Sequence, residues 1–135
     1  MKVLSIREPF ATLIANNIKH IETRSWKTNY RGELFIHASG KSLSNNFSNN
    51  DSVFGLVNNM QMNYGNIICK CKLVDCVYMD DEFIIEIMKD PIEYEFGDYK
   101  VGRYAWVLED VELIYPISVK GRLGIWNYDG KYKLM

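Results

Sequence analysis

Ile18–Arg31 reads IKHIETRSWKTNYR, and the way this stretch folds decides where a site can form. One carboxylate, Glu22, stands among Lys19, His20, Arg24, Lys27 and Arg31, with Trp26 and Tyr30 interleaved. The central spacing is Lys19-x-x-Glu22-x-Arg24. Just before it, Phe10, Leu13, Ile14 and Asn17 recur at helical intervals, which predicts a helix from Pro9 to about Asn17. Pro9 suits a first helical turn, where its missing N–H costs nothing. Asn16-Asn17 predicts the stop, because Asn tolerates the left-handed conformation. If the chain passes from helix to strand near Lys19, a two-residue period puts Glu22, Arg24 and Trp26 on one face. Ile21, Thr23 and Ser25 then take the other. Acid, guanidinium and indole make a poor core, but they suit a cleft for a polar, flat, anionic ligand.

Working outward, Val3–Ile6 reads as a first strand. Tyr30-Arg31-Gly32 reads as a turn, and Leu34–Ala38 as a strand with Leu34, Ile36 and Ala38 alternating against Phe35 and His37. Ser42–Asn66 is rich in Asn and Ser and predicts a polar loop, then a helix over about Ser52–Met62. Ile67–Met79 is a long strand. Asp80-Asp81-Glu82 opens a helix to about Lys89, its carboxylates at the positive helix end, and Pro91 ends it. Tyr94–Val101 reads as an acidic, aromatic connection. Tyr104–Leu108 and Val111–Ile117 read as two strands joined at Glu109-Asp110, with a turn and a short extended piece over Gly121–Tyr128. Helices inserted singly among five or six strands predict an α+β domain with a curled, barrel-like sheet. Residues 1–135 read as a single domain without repeats.

A chain of 135 residues can bury roughly two-thirds of its unfolded surface. Its 47% hydrophobic and 24% charged residues are those of an ordinary globular protein. No apolar run approaches the ~20 residues that cross a bilayer, so no membrane association is expected. Three cysteines without a paired framework fit a reducing, cytoplasmic setting. Cys69 and Cys71 share one face of a strand and read as small buried hydrophobes. Too few Cys and His stand at ligand spacing for a metal, and no cofactor is expected. The net charge of −1 conceals an asymmetry: Met1–Lys41 holds seven Lys/Arg against three Asp/Glu, whereas Asp75–Tyr99 holds nine acids against Lys89 alone. The basic third suggests a local anion site. The acidic block reads as a solvated face or, alternatively, a docking segment for a protein partner.

The blocks LSIREPFATLI, IKHIETRSW, YRGELFIHASGK, GRYAWVLEDV and PISVKGRLGIW, in that order, resemble the ASCH (activating-signal-cointegrator homology) domain. The resemblance runs from about Val3 to Trp126. It implies a PUA-like mixed β-barrel flanked by helices, with a cleft beside the first helix that binds RNA or another nucleic acid. The family signature G-x-K-x-x-E-x-R is matched by Lys19, Glu22 and Arg24, with Asn17 at the Gly position. One branch resembles amidohydrolases that deacetylate N4-acetylcytidine through Lys, Thr and Glu; here Lys19 holds the Lys position and Glu22 the Thr position. Other members are similar to ribonucleases.

For RNA, a single-stranded nucleic acid or a modified nucleoside, phosphate contacts fall to Lys19, Arg24, Lys27 and Arg31. Stacking falls to Trp26 and Tyr30. Glu22 can accept from an exocyclic amine, and Ser5 and Arg7 at the end of the first strand line the same cleft. The alternative is a small hydrolase with Glu22 as general base and Lys19 as its acid partner. Against both stands a plain reading: a Glu22–Arg24 ion pair, tryptophans that close the barrel, and a His37 that is packed and hydrogen-bonded.

Overall fold

Alternating apolar residues along Lys2–Arg7 form β1, with Val3, Leu4 and Ile6 buried. In the computed structural model, which describes residues 1–40, 57 and 59–135, the chain continues through α1 (Phe10–Ala15), β2 (Ile21–Arg24) and β3 (Gly32–Ser39). Then come β4 (Asn66–Tyr78), α2 (Asp81–Ile87), α3 (Pro91–Glu95), β5 (Tyr104–Ser118) and β6 (Ile125–Asn127). The loop and helix expected between Ser42 and Met62 lie largely outside the described residues.

The described strands form one six-stranded sheet in the order β2-β5-β4-β3-β1-β6. Only β1 and β3 run parallel. Laid flat, β2 and β1 would stand four strand spacings apart, about 19 Å. Yet Arg24 of β2 donates from Nη2 to the Ser5 carbonyl of β1 at 2.7 Å. The sheet is therefore rolled into a curled half-barrel, the PUA-like form, with a seam where β2 approaches β1.

α1 fills the inside of the roll. Its Ala11 and Ile14 pack with Leu34, Ile36, Cys69, Cys71 and Trp106 in the main core. Burial pushes the Cys71 thiol up to about 12, which suits a small packed hydrophobe and not a thiolate. The helix starts after Pro9 and stops at Asn16, and Asn17 takes the left-handed conformation at φ 59°. Its open N-terminus is satisfied by Glu8, a buried carboxylate that accepts from the Thr12 amide at 2.7 Å and from the Asn63 amide at 2.9 Å.

Three expectations are corrected. Tyr104–Ser118 is one continuous strand: Glu109-Asp110 is no turn but an irregularity in the β4–β5 register, with Asp110 at φ 55°. Pro91 does not merely end α2; it opens α3, where Asp90 accepts from the Glu93 amide. Trp26 lies beyond the end of β2, so it does not continue the Glu22–Arg24 strand face.

Candidate functional site

A cleft of about 460 Å³ opens at the seam. β1 supplies Ser5, Ile6 and Arg7, the start of α1 supplies Phe10, and β2 with its exit supplies Glu22 to Trp26. The opposite wall comes from Glu95–Asp98, at and just after the end of α3, with Arg103. Of the nine residues singled out from sequence, five line this cleft: Ser5, Arg7, Glu22, Arg24 and Trp26.

Glu22 and Arg24 share the cleft-facing side of β2. The carboxylate is only 8% exposed, and its Oε2 accepts from Arg24 Nε at 3.1 Å. Arg24 spends its Nη2 on this pair and on the Ser5 carbonyl. The ion pair of the plain reading is therefore present, but it stands in the wall of a cavity. Trp26 is 37% exposed, held edge-on against Trp106 with ring centroids 4.7 Å apart. The Trp106 indole donates to the Trp26 carbonyl at 3.3 Å, which anchors the backbone there. Trp106 itself is buried in the core, and Trp126 packs in a second cluster with Val3, Phe35, Ile67 and Ile114.

Lys19 sits elsewhere than the linear motif suggests. It is 1% exposed, and its Nζ donates to the Phe96 carbonyl at 2.6 Å while lying 5.7 Å from the centre of the Phe10 ring. Phe10 and Phe96 both line the cleft, so Lys19 lies behind its apolar floor. Burial pulls its ammonium below the ordinary value, and the negative charges of Glu22 and Glu93 oppose that shift. Lys27, Tyr30 and Arg31 lie outside the cleft lining. Lys27 is exposed; the Tyr30 hydroxyl donates to the Glu33 carbonyl; Arg31 donates to the carbonyls of Thr28 and Tyr30.

Sequence reasoning missed the far wall. Arg103 donates from Nε to the Asp98 carbonyl at 2.9 Å, and the Asp98 amide donates to Thr23 Oγ1 at 3.1 Å, which fastens this wall to β2. Gly97 is required there, since a Cβ would stand 2.3 Å from the Tyr99 ring. Glu93, on α3, is buried and accepts from the His20 amide and lies 3.0 Å from His20 Nδ1, tying α3 to the start of β2. Nothing local in the sequence marks the contacts of Asp98 with Thr23 and of Glu93 with His20, which join residues more than 70 positions apart.

Among the described residues, no group of three or more His, Cys, Asp and Glu is placed to hold a metal ion, and no helix is long and apolar enough to cross a membrane.

The family model of the ASCH domain matches residues 4–120. This chain belongs to the ASCH domain family. It is 27% identical over 133 residues to Activating signal cointegrator 1 of Mus musculus, and 26% identical over 130 residues to that of Homo sapiens. Each match covers 95% of this chain but spans only 22% of the relative's length. The ASCH protein of Zymomonas mobilis has a similar fold, with a TM-score of 0.54 and 20% identity over 87% of this chain and 72% of that one. The matched residues 4–120 contain Lys19, Glu22 and Arg24 together with β2 and most of β1, the strands that frame the seam.

Proposed function

We propose that this ASCH domain binds single-stranded RNA, taking one unstacked base into the seam cleft. The observation that carries the reading is the convergence of a half-exposed indole, a carboxylate and a guanidinium on one cavity between β1 and β2. Trp26 supplies the stacking face, worth ~1–3 kcal/mol per base. Glu22 supplies the acceptor for a base-edge amine: Arg24 engages its Oε2, and no hydrogen bond within the described residues reaches Oε1. Arg24 and Arg7 supply positive charge for the adjoining phosphates. In this reading Lys19 is a positioning residue. Its bond to the Phe96 carbonyl holds the floor and its charge faces Glu22 from behind.

The test is fluorescence anisotropy with labelled single-stranded RNA pentamers of each base. Trp26→Ala is expected to weaken binding about 5- to 150-fold, the range that ~1–3 kcal/mol of stacking implies. Glu22→Gln, which keeps shape and removes charge, is expected to change the ranking among the four pentamers. Unchanged affinity in Trp26→Ala together with unchanged ranking in Glu22→Gln refutes the assignment.

A further inference from the structure

A second hollow, of about 580 Å³, adjoins the seam cleft and shares Ser5, Arg7 and Arg24 with it. The end of β3 with Gly40 and Gly65 supplies a second side, and the loop Val119–Gly124, which brings Lys120 and Arg122, supplies the rest. Among the described residues, four cations line this hollow and no Asp or Glu does, in a chain whose net charge is −1. Arg7, Lys120 and Arg122 form no ion pair among the described residues, unlike Arg24. Positive side chains left without counter-charges around a concavity set up a field that favours an anion.

The loop is placed by a brace that runs under it. His37 Nε2 stands 2.7 Å from the Val119 carbonyl, which can only accept, so Nε2 carries the proton. In the neutral ring Nδ1 is then the acceptor, and the Ser5 hydroxyl donates to it at 3.2 Å while accepting from the Trp126 indole at 3.1 Å. Gly121 lies directly on this brace: a Cβ would stand 2.8 Å from His37 Cε1 and 2.9 Å from both His37 Nδ1 and Ser5 Oγ. The loop backbone is therefore pressed onto β1 and β3, and the cations on either side of Gly121 are held at the rim of the hollow. His37, which the sequence predicts to be packed and hydrogen-bonded, is both, and through these bonds it fixes where those charges stand.

We propose that the second hollow is a phosphate subsite, which takes the backbone phosphates of the nucleotide next to the one whose base enters the seam cleft. This rests on the RNA-binding reading, and it adds a direction: the strand crosses from the cleft at Trp26, over Arg7 and Arg24, toward Lys120 and Arg122. Nucleosides alone occupy only the first cavity, and affinity rises once a chain is long enough to carry a phosphate into the second.

The experiment uses the whole chain and the double variant Lys120→Gln/Arg122→Gln, whose replaced side chains are exposed. The probes are a single-stranded RNA pentamer and an abasic ribose-phosphate pentamer. NMR reports the Trp26 indole N–H and the Gly121 and Gly124 amides separately. The expected result is movement of both glycine amides with either probe. The variant should bind RNA about tenfold more weakly near 0.15 M salt, with a salt slope shallower by about 1.4, the value for two lost contacts on a single strand. If RNA moves Trp26 but the variant binds within about twofold of the wild type with the same slope, the subsite is overturned and the base-binding reading stands. If the abasic probe moves the glycines while RNA leaves Trp26 unmoved, the subsite stands and the base-binding reading falls. If neither probe moves any reporter, both fall.

Discussion

Arg24 offers the sharpest test of how the seam is built. Replacing it by Gln removes a charged donor from the Ser5 carbonyl at 2.7 Å, and such bonds contribute roughly 1.5–3 kcal/mol. The ion pair with Glu22 is also lost. That pair is partly solvated, with the Arg24 side chain 24% exposed, so its own worth is about 1 kcal/mol or less. A total of about 1.5–4 kcal/mol follows, which for a domain of this size lowers Tm by roughly 5–14 °C. Urea denaturation and hydrogen exchange at the β1 amides provide the assay. β6 pairs with β1 only as far as Leu4, so beyond that point this face of β1 leans on Arg24, and exchange at Ile6 and Arg7 is expected to quicken. Arg24→Lys separates geometry from charge, because an ammonium lacks the fork that reaches Glu22 and Ser5 together. It is expected to lose most of the stability yet keep most of the salt dependence of RNA binding. Lys27→Gln, on an exposed neighbour outside the cleft lining, is the control and should change stability by less than about 0.5 kcal/mol. If Arg24→Gln matches that control and exchange along β1 is unaltered, the guanidinium does not hold the seam and the reasoning fails.

Two further outcomes follow from the floor and far wall. Lys19 has a folded pKa below its ordinary 10.5, so in the alkaline window between the two values the unfolded chain keeps a proton that the folded chain has released. Its contribution to stability therefore rises with pH across that window. Lys19→Met is expected to lack this rise in guanidinium titrations carried up through the alkaline range toward 10.5; an identical pH profile for both proteins excludes it. Gly97→Ala forces a methyl toward the Tyr99 ring, which is buried and in stacked contact with both Phe83 and Tyr94, and overpacking of this kind costs roughly 1–3 kcal/mol. RNA affinity should fall with it, because Gly97 and Asp98 form the cleft wall; full affinity in a destabilised variant would detach that wall from the site.

Local pattern was enough to place β1, α1 and the cleft-facing side of β2. Each depends on a short-range rule: alternation, a helical interval, a left-handed Asn. It failed where one local signal serves two structures. Glu109-Asp110 carries the polar, positive-φ chemistry of a hairpin turn, but the same chemistry accommodates an extra residue in a continuous strand. Pro91 is equally suited to follow one helix and to open the next. The site was half legible for a related reason. Glu22 and Arg24 are oriented by the strand they stand on, whereas the Phe96–Asp98 wall and the burial of Lys19 arise from contacts spanning most of the chain.

The seam also explains why a site belongs at this place in the fold. β2 is a four-residue edge strand paired on one side only, to β5, and an edge strand left open is exposed to wrong pairing. Rolling the sheet brings β2 toward β1, but the two do not pair as strands, so a gap remains that side chains must span. Arg24 spans it through Nη2, which reaches the Ser5 carbonyl of β1, while Nε holds Glu22 on β2 itself, and no bond within the described residues uses Nη1. A guanidinium fixed by its partners yet holding free donors is already oriented for an incoming anion, so little side-chain entropy remains to be lost on binding. The interaction that closes the half-barrel thus prepares the cleft, and the structural role of Arg24 and the binding role proposed for it reinforce each other instead of competing.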